Sequence, residues 1–162
     1  MFSIRSLTVL TVLSLCFTLI SASPIASPDT DPNTDAHLSK RYSAVRIRSG
    51  RDNKCLSPTG TKWTDGTIVT TVDCPNAARW DINPGSGSVI LYGSTYALDA
   101  FTGNTNNSPV RIQTSTPGAF QQTWYLTNDN RIAITGGNQC LDEGANGPQT
   151  YQCTTGNTNQ GS

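Results

Sequence analysis

Asn138-Gln-Cys-Leu-Asp142, followed by Gln149-Thr-Tyr-Gln-Cys153, is the stretch that decides the fold, because both halves recur upstream. Asn53-Lys-Cys-Leu-Ser57 and Thr95-Tyr-Ala-Leu-Asp99 align with the first half, at successive offsets of 42 and 43 residues. Thr70-Thr-Val-Asp-Cys74 and Arg111-Ile-Gln-Thr-Ser115 align with the second half. A third set ends each unit: Ala78-Arg-Trp80, Gln122-Thr-Trp124 and Gln160-Gly-Ser162. The chain from Tyr42 onward is therefore a threefold repeat of roughly 40 residues, with units at about 42–83, 84–127 and 128–162.

The cysteines follow the repeat. Cys55 and Cys74 in the first unit match Cys140 and Cys153 in the third, while the second unit has Ala97 and Ser115 at those places. Four cysteines allow three connectivities. The joint loss of both in the middle unit favours pairing within a unit, Cys55–Cys74 and Cys140–Cys153. A zinc site is the alternative, but no CxxC spacing exists.

Working outward, the strand pattern agrees with three small β units. Val45 and Ile47 alternate with Arg46 and Arg48. Residues 68–72, 89–92, 110–113, 124–126 and 132–134 carry β-branched and aromatic side chains between Gly, Pro and Asn breaks. Short strands at each Cys-Leu or Ala-Leu step bring the count to about four per unit. A propeller of similar period needs more than three blades. The expected fold is all-β, closed, with pseudo-threefold symmetry.

The N-terminal stretch is not fold. Arg5, the apolar run Leu7 to Ile20 and the small residue Ala22 have the layout of a secretory signal peptide over 1–22. The run is short for a membrane anchor. Residues 23–41 hold three Pro, three Asp and almost nothing that could build a core, and they end in the dibasic pair Lys40-Arg41. This reads as a pro-segment, leaving a mature, secreted, extracellular chain from Tyr42 to Ser162. Cys16 leaves with the signal.

Composition excludes several functions. Eleven basic residues balance eleven acidic ones, so an electrostatic grip on nucleic acid is not expected, and no later run could insert in a membrane. His37 is the only histidine and lies upstream of Tyr42. Ser-His-Asp or Cys-His catalysis and His-ligated metal are thereby removed from the mature chain. No phosphate-binding glycine loop occurs, and no cofactor or metal is expected. A glycosidase needs two carboxylates flanking one bond. Asp142 and Glu143 are adjacent, which on a strand sends them to opposite faces.

The Cys-Leu-Asp step, the Gln-x-aromatic-x-Cys strand and the closing Gln-x-Trp together resemble the ricin B-type lectin domain, a β-trefoil, over essentially all of Tyr42 to Ser162. The resemblance implies a shallow sugar site in each repeat. An Asp after the Cys-Leu position accepts bonds from neighbouring hydroxyls, and a ring two residues before the second Cys position stacks on a galactose-like sugar. A polar residue two positions earlier and an Asn-Gln pair complete the pocket. In the first unit these places hold Ser57, Val72 and Ala77-Ala78, and every element is missing. In the second, Asp99, Gln121 and Gln122 match, but Gln113 stands at the ring position, with Arg111 two residues earlier; this is a candidate second site without its ring. In the third, Asp142, Gln149, Tyr151, Asn159 and Gln160 all match and form the main candidate site. Trp80 and Trp124 are expected in the core, and Trp63 either contacts ligand or packs its loop.

One departure stands out. Ser162 occupies the place of the closing Trp in unit three, so eleven strands are expected where a β-trefoil has twelve. The first strand, Val45 to Arg48, is left without one neighbour. The implied function is non-enzymatic binding of galactose-type carbohydrate or glycoprotein glycans. Competing readings are a β-trefoil protease inhibitor using the loop Asn104 to Pro109, whose Asn, Gly and Thr content argues against a rigid loop, and a glycan-binding module related to glycoside hydrolases. The processing signals predict that N-terminal sequencing of the secreted protein finds Tyr42 first; residues before Lys40 retained there would reject the pro-segment.

Overall fold

Short β-branched and aromatic runs, each cut off by Gly, Pro or Asn, can only make short strands. The computed structural model describes residues 42–161. The predicted signal peptide, pro-segment and dibasic site lie outside the described residues, as does Ser162. The first repeat holds β1 (Tyr42–Val45), β2 (Cys55–Pro58), β3 (Val69–Val72) and β4 (Trp80–Ile82). The second holds β5 (Ile90–Leu91), β6 (Tyr96–Asp99), β7 (Ser108–Pro109), β8 (Arg111–Thr114) and β9 (Trp124–Leu126). The third holds β10 (Ile132–Ile134), β11 (Gln139–Gly144) and β12 (Gly147–Gln152). No α-helix occurs among the described residues.

Each repeat sets a hairpin against longer-range strand pairs. The hairpins are β2 with β3, β6 with β8, and β11 with β12, all antiparallel. The strands that close the first two repeats pair with the first strand of the following repeat, β4 with β5 and β9 with β10. Bridges from Gly87 to Trp124 and from Arg131 to Gly161 carry the pattern round the molecule. A single 3₁₀ turn precedes each repeat's closing position: Cys74–Asn76, Phe120–Gln122 and Thr158–Gln160.

The core is apolar and threefold. Trp80, Leu91, Leu98, Ile112, Trp124 and Ile134 are fully buried. A buried indole N–H requires an acceptor. Trp80 Nε1 donates to the carbonyl of Leu56 at 3.1 Å, and Trp124 Nε1 to that of Leu98 at 3.0 Å. The expected core role of both tryptophans holds. Both expected disulfides, Cys55–Cys74 and Cys140–Cys153, are formed.

Two expectations change. The first strand occupies Tyr42–Val45, not Val45 to Arg48, and beyond it only Arg48 makes a bridge, to Cys55. The cause is a bulge at Ala44, which adopts φ 54°, so the register slips between Tyr42↔Ile82 and Val45↔Trp80. The side-chain alternation survives, with Ile47 buried between exposed Arg46 and Arg48. The strand count is twelve, because Ser108–Pro109 adds a two-residue strand beside β12. Among the described residues the fourth position of repeat three holds only the Arg131–Gly161 bridge.

The junction of the first and third repeats is tight. Gly50 N–H donates to Gly161 O at 2.9 Å, and a Cβ on Gly50 would stand 2.6 Å from the carbonyl of Thr158. Any larger residue at position 50 pushes this contact apart. The Cys140–Cys153 bridge closes a short loop in the same repeat, with a separation of 13 residues. Replacing both cysteines by Ala is expected to lower stability by about 3 kcal/mol through chain entropy, read as a shift in urea midpoint at constant slope. A loss well under 1 kcal/mol would mean that the unfolded chain is constrained here by something other than the bridge.

Candidate functional site

Side chains alternate across a strand, and residues directly opposite in an antiparallel pair share a face. In the third hairpin Cys140 pairs with Tyr151 and Asp142 with Gln149. Asp142, Gln149 and Tyr151 therefore emerge on one face for a reason fixed by register alone. The same rule puts Ser57, Thr70 and Val72 together in the first repeat, and Asp99, Arg111 and Gln113 in the second.

The third-repeat face forms a cleft of about 330 Å³ lined by Arg51, Asp142, Gln149, Tyr151, Asn157 and Asn159. Asp142 is only 4% exposed, and its two oxygens are held apart by two amides. Gln149 Nε2 donates to Oδ1 at 3.3 Å and Asn157 Nδ2 to Oδ2 at 3.2 Å. A carboxylate has about four acceptor sites, so capacity remains for ligand hydroxyls. Tyr151 is 38% exposed and offers ring surface at the edge of the cleft. Gly144 lines the same cleft, and a Cβ there would stand 2.5 Å from the Gln149 amide carbon, so a larger residue would have to displace the Gln149 amide.

Four of the five predicted third-repeat residues are brought together. Gln160 is the exception in role. It is buried at 1%, accepts from Thr154 N–H at 2.9 Å and donates to Gln152 O at 2.9 Å, so it fastens the 3₁₀ turn to the hairpin and does not face the cleft. Two polar lining residues were missed. Asn157 caps the Thr158–Gln160 turn, its Oδ1 accepting from Asn159 N–H, which aims its amide nitrogen at Asp142. An Asn immediately before a turn is a cap signal that sequence could have supplied. Arg51 comes from the first repeat, and its Nη1 donates to Glu143 O at 2.8 Å. Nothing local in sequence announces a contact across 92 positions.

The second repeat carries the predicted Asp but not an open site. Asp99 is completely buried. Its Oδ1 accepts from Arg111 Nε at 3.1 Å and from Phe101 N–H at 2.8 Å, and Oδ2 accepts from Gln122 Nε2 at 3.1 Å. Arg111 also lies over the Phe101 ring, 4.2 Å from its centroid. Arg111 thus occupies the place that Gln149 fills in repeat three and satisfies the carboxylate internally. Gln122 is buried like Gln160, while Gln113 and Gln121 are half-buried. In the first repeat Ser57 Oγ accepts from Ala78 N–H at 3.3 Å, a structural bond in place of a ligand. Trp63 folds onto its own loop, its Nε1 donating to Gly60 O at 3.2 Å.

Glu143 points away from Asp142, as adjacent strand residues must. Burial pushes its carboxyl above the usual range, and the nearby Asp52 charge adds to this, against a bond from Thr71 Oγ1 and the charge of Arg51. A folded-state pKa above the unfolded value means that the folded state binds the proton more tightly. That stability is fully present below the unfolded value and is lost as pH rises through the folded one. Glu143→Gln is therefore expected to be more stable than the parent near pH 7 and to lose that advantage below about pH 4, in urea melts across the range. A constant difference at all pH values would assign the effect to packing.

A family model described as the ricin-type beta-trefoil lectin domain matches residues 43–161. No curated protein matches the chain in a whole-sequence comparison. Among solved structures, a designed threefold-symmetric protein, ThreeFoil, is similar in fold at a TM-score of 0.58 and 19% identity, covering 74% of this chain and 94% of that one.

Proposed function

We propose that this chain, which belongs to the ricin-type β-trefoil lectin family, is a secreted, non-enzymatic lectin that binds galactose-type sugars on glycans through its third repeat. Membership of the family supports carbohydrate binding as the general activity. The observation that supports this particular site is Asp142, oriented by Gln149 and Asn157 and lying beside the exposed ring of Tyr151. A sugar offers hydroxyls at its rim and C–H groups on one face, and the cleft offers an ionised acceptor and a ring. Charge-assisted hydrogen bonds to the hydroxyls are stronger than neutral ones. The ring face excludes water from the apolar side of the sugar. Two disulfides fit an oxidising compartment, in line with secretion.

The protease-inhibitor reading draws less support. The loop Asn104 to Pro109 is more firmly held than its composition suggests. Thr150 Oγ1 donates to Thr105 O, Gln152 N–H to Asn106 Oδ1, and Asn107 N–H to Thr150 O. The backbone groups of Thr105 and Asn107 are thus engaged with β12, whereas an inhibitory loop must offer its backbone to the protease. For an enzyme, Asp142 and Glu143 are the nearest acids in sequence, and they serve different faces.

Titration of galactose or lactose into the protein, followed by chemical-shift perturbation, tests the assignment. A single shallow site corresponds to a Kd of about 1 mM. Asp142→Ala is expected to lose about 1.5–3 kcal/mol, which at that affinity abolishes measurable binding. Tyr151→Ala is expected to weaken binding strongly through lost contact area. Asp99→Ala is expected to leave sugar affinity unchanged while destabilising the fold by roughly 1–3 kcal/mol, because the Gln122 amide and the Phe101 N–H lose their buried acceptor. Retained binding in Asp142→Ala with loss in Asp99→Ala would move the site to repeat two.

A further inference from the structure

Repeat three builds its hairpin differently from the other two. In repeats one and two the hairpin strands are joined by long loops, residues 59–68 and 100–110. In repeat three β11 and β12 stay paired as far as Gly144↔Gly147 and turn on Ala145 and Asn146 alone. The outer edge of this longer hairpin carries the long loop of repeat two. β7, which lies within that loop, pairs with β12, Pro109 opposite Gln149 and Ser108 opposite Thr150. Between β7 and the hairpin tip lies a second concavity of about 380 Å³, lined by Asn107, Pro109, Asn146 and Pro148 among others. It shares Ala145 and Gln149 with the Asp142 cleft, so the two concavities meet at the hairpin tip. Neither Tyr42 nor Gly161, the ends of the described chain, lines it.

We propose that this concavity is a subsite for the next sugar of a glycan chain, so that the third repeat takes a neutral oligosaccharide of two or more units. The inference rests on the reading of the Asp142 cleft as the sugar site. Three observations select the occupant. The first is continuity: a ligand seated beside Asp142 and extended past Ala145 and Gln149 enters the second concavity. The Asp142 cleft alone, at about 330 Å³, is at the small end of ligand sites, and the two together fall well within their usual range. The second is hydrogen-bonding capacity. Asn107 and Asn146 are exposed, and among the described residues neither side-chain amide is engaged within the protein. Each amide offers two donors and an acceptor, which meets a hydroxyl of either sense. Asn107 stands on anchored backbone: its N–H donates to Thr150 O at 2.8 Å, and beside it Asn106 Oδ1 accepts from Gln152 N–H at 2.8 Å. Pro109 and Pro148 add stiff apolar surface for the C–H groups of a ring. The third is charge. No charged residue lines this concavity, so an acidic sugar would be desolvated there without a partner, and a neutral one is preferred.

The test titrates the isotope-labelled full chain with galactose and, separately, with neutral disaccharides that join galactose to a second hexose in α or β linkage, lactose and melibiose among them. Galactose is expected to shift the signals of Asp142 and Tyr151. The best disaccharide is expected to shift Asn107, Asn146 and Gly147 as well, and to bind about tenfold more tightly, the gain from one or two further neutral hydrogen bonds. Asn107→Gly keeps the backbone conformation at φ 59°, and Asn146→Ala removes the other amide; both side chains are exposed, so neither change threatens folding. The double variant is expected to lose the tenfold gain while its affinity for galactose is unchanged. Galactose shifts at Asp142 with no disaccharide binding more tightly would overturn the subsite and leave the sugar site standing. A gain that the double variant retains in full would do the same. Galactose and disaccharides that all leave Asp142 unshifted would instead remove the sugar site itself, and the subsite with it.

Discussion

The indole-to-carbonyl bond is the contact on which the rest of the architecture depends. Trp80 and Trp124 are buried in the centre, where an unpaired N–H would be costly, and each finds its acceptor on the leucine of its own hairpin. One bond thus fixes the hairpin against the strand that closes the repeat. In the first two repeats the 3₁₀ turn before the closing strand is drawn to the hairpin with it. The residue after the hairpin leucine then falls opposite that turn in every repeat: Ser57, Asp99 or Asp142. In repeats one and two a core requirement creates that location; in repeat three the buried amide of Gln160 holds the turn opposite Asp142 instead, through Thr154 and Gln152.

What occupies that location is decided by one residue across the strand. Asp99 and Asp142 hold the same register, opposite Arg111 and Gln149 respectively. An arginine brings a full charge and a planar donor set, so Asp99 pairs with it and disappears from the surface. A glutamine brings one neutral amide, which orients the carboxylate and leaves its charge uncompensated. The middle repeat therefore turns its carboxylate inward while keeping it. The first repeat goes further, with a serine whose hydroxyl serves the backbone of Ala78.

Most of the fold was legible because it rests on short-range pattern. Repeat spacing, the joint absence of two cysteines in unit two and β-branched runs between turn residues located the strands, the disulfides and the buried tryptophans. The residues Asp142, Gln149, Tyr151 and Asn159 were legible through the family resemblance; register on the hairpin, with its period of two, puts the first three on one face, while Asn159 lies on the following 3₁₀ turn. What escaped was tertiary or conformational. Ala44 adopts a left-handed backbone that an alanine does not advertise, and the first strand moved with it. Arg51 reaches the site from another repeat. Gln160 matched by position, yet its amide is spent on Thr154 and Gln152, and only the bonding pattern tells a ligand contact from a turn fastener.

The third repeat is consequently not a self-contained binding unit. Its cleft takes Arg51 from the first repeat, and the turn that carries Asn157 and Asn159 is held against Gly50 through Gly161. Asp142 and Asn159 also line a small hollow of about 20 Å³ beside Ile47, Leu56 and Leu141. The cleft and the hollow thus share two lining residues. The face with the fullest set of candidate binding groups is built where the first and third repeats meet, and its geometry depends on that junction.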